Sequence, residues 1–290
     1  MKPASFCYHA PQTVDETVEL LHTYAGEAKI LAGGQSLVPL MAMRLARFEH
    51  LVDIGRVTGL GELRVDDDGI AVSAMVRQAD AGRSHEVRRI APLVGRAIPL
   101  IGHFQIRNLG TVVGSLAHAD PASELPAVAL ALDAEFRIVG VDGSRVVPAA
   151  DFFVGMWTTA LRDGELLSAV HFPRWPGRAG FAVEELARRH GDFAVAGAAV
   201  AVALTPSGEV ERAAIALFGI GSTPVRASAA ERDLVGTTPS AADLVDVGER
   251  ALVGIDPVAD LHTSGAYRKS VAAAIVTRAL TNAIEEAHRA

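Results

Sequence analysis

The sequence predicts an α+β protein, and three observations lead to this fold class. A β-loop-α-β unit of about thirty residues opens the chain, a form in which glycine loops meet phosphates. Three strand-like runs follow the Pro- and Gly-containing segment 173–178, and a helical tail ends the chain. The first part and the tail therefore differ in architecture, with 173–178 as the best candidate for a linker.

Periodicity assigns the elements of the first part in order. Val14, Val18, Leu21 and Tyr24 recur at helical spacing, and this helix leads into a β-prone run at 28–31. The other expected elements are a helix after the first glycine loop, strands at 51–54 and 71–75, helical segments within 78–100, strands at 134–139 and 145–147 around the Asp142-Gly143 hairpin signal, and a strand at 166–172.

The second part is expected to begin with a meander and to end with helices. The expected strands are 181–186, 193–204 and 212–218, and the expected helices are 225–234, 241–253 and 266–287.

Composition excludes several classes of function. The net charge of 27 − 34 = −7 disfavours a general nucleic-acid-binding surface. The longest apolar run, 193–204, is too short for a membrane span, and the N-terminus lacks the apolar core of a signal peptide, so we expect a cytoplasmic protein. The single cysteine, Cys7, can form neither an intrachain disulfide nor an iron–sulfur cluster, so redox work would need an organic cofactor or a partner's metal.

The segment 30–45, I-L-A-G-G-Q-S-L-V-P-L-M-A-M-R-L, is the most informative stretch. A short strand meets Gly33 and Gly34, which lack a Cβ and let the backbone approach a ligand closely. Successive N–H groups before a helix can form a cradle for an anion, most often a phosphate. The alternative is an ordinary strand-to-helix turn capped by Ser36.

A second loop of small residues, 110–126, reads G-T-V-V-G-S-L-A-H-A-D-P-A-S-E-L-P and precedes the apolar run 127–132. Two separated glycine- and serine-containing loops could hold both phosphates of a dinucleotide from opposite sides.

These two motifs, together with the later A-R-R-H-G-D-F-A, resemble the FAD-binding medium subunit of molybdenum hydroxylases, the xanthine dehydrogenase and carbon monoxide dehydrogenase flavoprotein family. The resemblance covers essentially the whole chain. It implies an FAD-binding PCMH-type domain of two α/β subdomains at 1–176 (about 1–57 and 58–176). A C-terminal domain with a three-stranded antiparallel sheet and helices would follow at 177–290.

The resemblance also implies the FAD-binding residues. The family's first loop carries over to Ala32, Gly33, Gly34, Gln35, Ser36 and Leu37, and its second loop to Thr111, Val112, Val113, Gly114 and Ser115. Val113 replaces a usual glycine. Since valine does not easily adopt positive φ, this position is either extended or the loop sits differently.

Two further positions keep alternatives open. Glu124 matches an acidic residue that contacts the ribityl or isoalloxazine region, but it could equally favour the dipole of the following helix. Leu167 matches a residue whose backbone lies near the flavin, or it is a core leucine.

Relatives often carry a lysine near the flavin where Glu184 and Glu185 stand here, so no catalytic side chain is assigned. His118 and Asp120 lack a third ligand, so no metal site is assigned.

The family implies an oxidoreductase subunit that takes electrons from the [2Fe-2S] clusters of a small subunit and passes them to an external acceptor. A molybdopterin-binding large subunit would complete the assembly, as a dimer of heterotrimers. FAD is expected on this chain, and molybdopterin and [2Fe-2S] clusters only on partners. Two alternatives remain: a self-contained flavoprotein oxidase, and a scaffold without FAD, which only the Val113 departure supports.

Overall fold

The computed structural model describes residues 2–290, and its first part is built on a small parallel sheet. Its strands lie in the order β1-β3-β2, and the first glycine loop leaves the carboxyl end of β2. Because carboxyl ends of parallel strands share one edge, this loop and the end of β3 lie together. The elements are β1 (Cys7–His9), α1 (Val14–Thr23), β2 (Ala28–Leu31), α2 (Leu37–Ala42) and β3 (His50–Asp53).

A five-stranded antiparallel sheet with helices follows, in the order β4-β5-β10-β6-β7, beside the two-stranded β8-β9 hairpin. The predicted hairpin at Gly143 joins β6 and β7. The elements are β4 (Leu63–Val65), β5 (Gly69–Ser73), α3 (Gln78–Arg83), α4 (His85–Ile90), α5 (Pro92–Ala97), α6 (Phe104–Leu109), α7 (Val112–His118), α8 (Glu124–Ala131), β6 (Glu135–Gly140), β7 (Gly143–Pro148), α9 (Ala149–Phe152), β8 (Phe153–Gly155), β9 (Thr158–Thr159) and β10 (Leu166–Pro173).

The last part is the expected antiparallel meander with helices. A two-residue fourth strand, β14, extends the three expected strands, and the helix expected from 225 therefore begins later, at Ser228. The elements are β11 (Arg178–Ala187), β12 (Ala194–Leu204), β13 (Val210–Phe218), β14 (Val225–Arg226), α10 (Ser228–Leu234), α11 (Ala241–Arg250) and α12 (Gly265–Arg289).

Strand β12 is buried on both faces, which explains its unbroken apolar sequence. Ala199 and Ala201 join the hydrophobic core of the first part, whereas Val200 and Val202 join a second core that includes α12 residues such as Val276. A strand covered on both faces needs no polar alternation.

Short or glycine-containing elements are where the structure departs from the sequence prediction. Helix α7 lies inside the segment predicted as a loop, and the three-residue strands β1 and β4 and helix α6 were not predicted.

The linker candidate is held against the fold at residues 174–177: the N–H of Arg174 donates to Asp68 O at 2.7 Å, and Trp175 is buried.

Within residues 2–290, no helix combines the length and the apolar character that crossing a membrane would require.

Candidate cofactor-binding site

The first glycine loop presents a row of free backbone N–H groups. Between β2 and α2, the N–H groups of residues 33–37 donate to no acceptor in the described chain. Gly34 adopts a φ of +69°, and a Cβ there would lie 3.1 Å from side-chain carbons of both Leu31 and Val38. Only glycine fits this position without strain. Consecutive free N–H groups on a tight turn are suited to bind an anion.

The side chains of this loop do not complete a simple capped turn. Ser36 is exposed and its hydroxyl makes no capping hydrogen bond, although it precedes α2. The Gln35 side chain instead donates from Nε2 to the carbonyl oxygen of Gly33 at 2.9 Å. The alternative of a turn capped by the Ser36 hydroxyl is therefore wrong: the N–H of Val38, which such a cap would use, donates to Gly34 O at 3.0 Å, and the next residue, Pro39, has no N–H.

The two predicted loops meet in space. A Cβ on Gly33 would clash with the carbonyl oxygen of Leu109 and would lie 2.7 Å from Cα of Gly110. A Cβ on Gly114 would lie 3.7 Å from the Cβ of Ala32. The fold thus brings both loops to one place, with glycine at the closest contact.

The second loop is largely helical. Thr111 caps α7, since its hydroxyl accepts the N–H of Gly114 at 2.9 Å, and the N–H of Val112 donates to Val76 O at 3.1 Å. Val113 is neither extended nor at positive φ: it lies in the first turn of α7 with its side chain in the core, 2% exposed. Ser115 shares a hydroxyl contact of 3.2 Å with Ser123.

Glu124 begins α8 as a buried carboxyl group. Burial raises its pKa to about 8, and the nearby carboxylates of Glu185 and Asp120 act in the same direction. At neutral pH the group therefore carries a proton, which makes it both a donor and an acceptor. A neutral carboxyl gains little from the helix dipole, so the dipole alternative explains this position poorly. Burial also raises the pKa of Glu185, to about 7.

Leu167 lies in β10, with its side chain buried in the hydrophobic core. It pairs with Ile138 of β6 just before a bulge in the strand. The side chain therefore has the packing role of the core alternative, and only the backbone of Leu167 is available for another contact.

A cleft of about 470 Å³ opens where the loops meet, and some of its lining was missed by the sequence prediction. Asp53 ends β3 and Gly55 follows it, at the edge where parallel strands end, a position that could have been inferred. Arg77 and Leu109 carry no sequence signal, because only the folded chain brings them here. The lining residues are Leu31, Ala32, Gly33, Gly34, Gln35, Val38, Pro39, Asp53, Gly55, Arg77 and Leu109.

The cleft fits a ligand that carries phosphate. Its free N–H groups match phosphate oxygens, its glycines leave room for close approach, and Arg77 adds a positive charge. The residues present therefore fit the diphosphate of FAD.

Potential metal ligands lie away from this cleft. Among residues 2–290, Glu27, Glu49 and His50 form a group whose ligand atoms lie within 4.8 Å of one another. His50 already contacts His9, with 2.9 Å between ring nitrogens, and both carboxylates are exposed. His118 is half-buried, and burial lowers its pKa. No metal is assigned to either place.

Comparison with known families matches both parts of the chain. Residues 4–175 match the FAD binding domain in molybdopterin dehydrogenase, and residues 181–283 match the CO dehydrogenase flavoprotein C-terminal domain. The chain is 42% identical over 287 residues to the 6-hydroxypseudooxynicotine dehydrogenase complex subunit alpha of Paenarthrobacter nicotinovorans, covering 99% of this chain and 97% of that protein.

Comparison with solved structures leads to the same family. The chain superposes with a TM-score of 0.96 and 37% identity on a chain of carbon monoxide dehydrogenase from Hydrogenophaga pseudoflava, covering 99% of each. For quinoline 2-oxidoreductase from Pseudomonas putida 86, the TM-score is 0.94 and the identity 34%, again covering 99% of each. The chain therefore belongs to the family of FAD-binding medium subunits of molybdenum hydroxylases, and it is an oxidoreductase subunit.

Proposed function

We propose that this chain holds one FAD against its two glycine loops and passes electrons from the [2Fe-2S] clusters of a small subunit to an external acceptor. FAD, when bound, accepts electrons one at a time and delivers them in pairs, and this redox chemistry belongs to the cofactor. The chain would position the cofactor, shield it from water and set the charge around it.

One observation carries the proposal: the contact between Gly33 and the Leu109-Gly110 backbone beside a row of unused N–H groups. Each loop alone would be an ordinary turn. Together they form one surface on which a diphosphate receives hydrogen bonds from the first loop while the start of α7 lies next to it.

The proposed contacts divide by chemical type. Residues 32–37 and Thr111, Gly114 and Ser115 would contact FAD through their backbones or small hydroxyl side chains. Val112, Val113 and Leu167 have core side chains, so any contact there uses the main chain. Glu124, protonated at neutral pH, can exchange hydrogen bonds with ribityl hydroxyls.

We propose a domain boundary at 176/177, with 1–176 forming the FAD-binding domain and 177–290 the C-terminal domain. The short connection between the end of β10 at Pro173 and the start of β11 at Arg178 supports this division. The first domain would divide near residue 57, between the parallel and the antiparallel sheet.

The partners would be a small [2Fe-2S] subunit and a molybdopterin-binding large subunit, assembled as a dimer of heterotrimers. The single cysteine, Cys7, supports cluster ligation on another chain, since clusters need several ligands. The scaffold alternative loses its support, because Val113 lies in a helix and its side chain does not face the cleft.

The test uses the complex assembled from this chain and its partner subunits. The complex is mixed with candidate substrates, among them 6-hydroxypseudooxynicotine and carbon monoxide, which relatives are named for. Rapid-mixing absorbance should show flavin bleaching only when the small subunit is present. Reduction of the flavin on this chain alone, by substrate without partners, would favour a self-contained oxidase and contradict the proposal.

A further inference from the structure

Arg77 holds an unusual position between β5 and α3. Its backbone pairs with Thr111 in an isolated antiparallel bridge, and its guanidinium Nη1 donates to the carbonyl oxygen of Leu109. The bridge is with the second loop and the side-chain bond is with Leu109 immediately before it, so Arg77 is fixed against this part of the chain by main-chain and side-chain bonds.

The same Leu109 carbonyl faces Gly33 of the first loop. The guanidinium is therefore held where the two loops touch, next to the free N–H groups of residues 33–37. Of the residues that line the cleft, Arg77 is the only basic one.

This cation has no carboxylate partner in the described chain. Nε and Nη2 of Arg77 make no hydrogen bond there, and no ion pair involves this residue. The other charged lining residue, Asp53, is already engaged: its carboxylate accepts from the Tyr8 hydroxyl at 2.6 Å and from the N–H of Gly55 at 2.8 Å. A guanidinium with donors to spare, beside free N–H groups, is suited to a doubly charged oxyanion.

We propose that Arg77 is a cofactor-binding residue that neutralises charge on the diphosphate of FAD, while its bond to Leu109 fastens the second loop beside the first. This inference rests on the proposed function, and it assigns the electrostatic part of cofactor affinity to one side chain. Planar guanidinium groups donate two parallel hydrogen bonds to phosphate, which a lysine cannot reproduce.

The test measures equilibrium binding of FAD and of ADP to the cofactor-free protein, by calorimetry, at several salt concentrations. Arg77→Gln is expected to weaken both ligands by about tenfold to a hundredfold, the range for a charge-assisted hydrogen bond. It should also flatten the dependence of affinity on salt, because the screened charge is gone. Arg77→Lys should keep the salt dependence and recover part of the affinity.

Arg83→Gln is the matched control, since Arg83 lies on α3, is exposed, and pairs with Asp80 at 2.5 Å away from the cleft. It should bind both ligands like the wild type, and thermal melts should verify that all variants are folded. Affinity of Arg77→Gln within twofold of the wild type would overturn the proposal. The proposal would also be overturned if Arg77→Gln weakened binding without changing its dependence on salt, or if Arg77→Lys bound the ligands as weakly as Arg77→Gln. Either result would mean that Arg77 only fastens the two loops together. A wild-type protein that binds neither ligand would instead refute the proposed function.

Discussion

Gly33 lies so close to the carbonyl oxygen of Leu109 that no side chain could stand between them. The two residues are far apart in the sequence: Gly33 lies in the loop after β2 of the parallel sheet, and Leu109 is the last residue of α6, next to the second loop. Their contact is what turns two separate turns into one binding surface, and substitutions at and around it should have measurable effects.

Substitution Gly33→Ala should weaken FAD binding and lower thermal stability. The new Cβ would overlap the Leu109 carbonyl and lie 2.7 Å from Cα of Gly110, so the loops must separate. Overpacking of this kind costs about 1–3 kcal/mol in the free energy of unfolding, and separated loops no longer present their groups to one ligand. Calorimetric titration with FAD checks this. Gly61→Ala is the control, because a Cβ there meets nothing within 4 Å; equal affinities for the two variants would refute the loop contact.

Substitution Val113→Gly, which introduces the residue that the family resemblance leads us to expect there, should destabilise the protein without improving cofactor affinity. Val113 is 2% exposed in the first turn of α7. Loss of its burial and the poor helix propensity of glycine together predict a fall of about 2–4 kcal/mol in the free energy of unfolding. Urea denaturation measures the fall, and FAD titration of the folded variant should match the wild type. Tighter binding by the glycine variant would mean that Val113 obstructs the site.

Substitution Glu124→Gln should change how stability depends on pH. Burial raises the pKa of Glu124 to about 8 in the folded chain, well above the value of an unfolded glutamate. Between about pH 5 and 8 the folded state keeps a proton that the unfolded state releases, so the free energy of unfolding falls as pH rises through this window. Glutamine has no proton to keep, and the variant should gain stability relative to the wild type as pH increases.

Urea denaturation of the cofactor-free chain at pH 5, 6.5 and 8 tests this difference. The free energy of unfolding of Glu124→Gln should still fall somewhat as pH rises, because burial also raises the pKa of Glu185, to about 7. Glu62→Gln serves as the control, since Glu62 is exposed. Identical slopes for the wild type and Glu124→Gln would contradict the buried, protonated state.

Substitution Arg226→Ala should lower stability strongly. Arg226 donates to the carbonyl oxygen of Leu130 at 2.6 Å and to Asp133 at 2.9 Å, and pairs with the buried carboxylate of Glu231. Removal leaves Glu231 buried without its cation, which predicts a loss of about 3 kcal/mol in the free energy of unfolding. Arg64→Ala removes an exposed pair with Glu62 and should cost less than about 1 kcal/mol. Similar losses in both variants, by chemical denaturation, would be inconsistent with this network.

The larger elements could be predicted because their sequence patterns are long and consistent. The meander β11-β12-β13 and the helix α12 follow from extended apolar runs and helical spacing, and β2 agrees with its prediction residue for residue. The first glycine loop could be predicted because a Gly-Gly pair between a β-prone run and an apolar helical run is a strong turn signal.

The remaining features depend on tertiary contacts. The segment of α7 was predicted as a loop because Thr111, Gly114 and Ser115 have weak helix propensity. In the fold, packing of Val112 and Val113 against the core outweighs this weak propensity. Three-residue strands such as β1 exist only because a neighbour pairs with them. Arg77 has no motif at all, and its role follows from the folded position of Leu109.

The most direct test of the proposed flavin site is the identity of the chromophore that this chain carries. The protein would be purified both alone and within its complex, its visible spectrum recorded, and any released chromophore identified by mass. We expect an oxidised-flavin spectrum and release of one FAD per chain, with Gly33→Ala depleted and Gly61→Ala fully loaded. Absence of flavin from both preparations, and no binding when FAD is added to either, would contradict the proposed site.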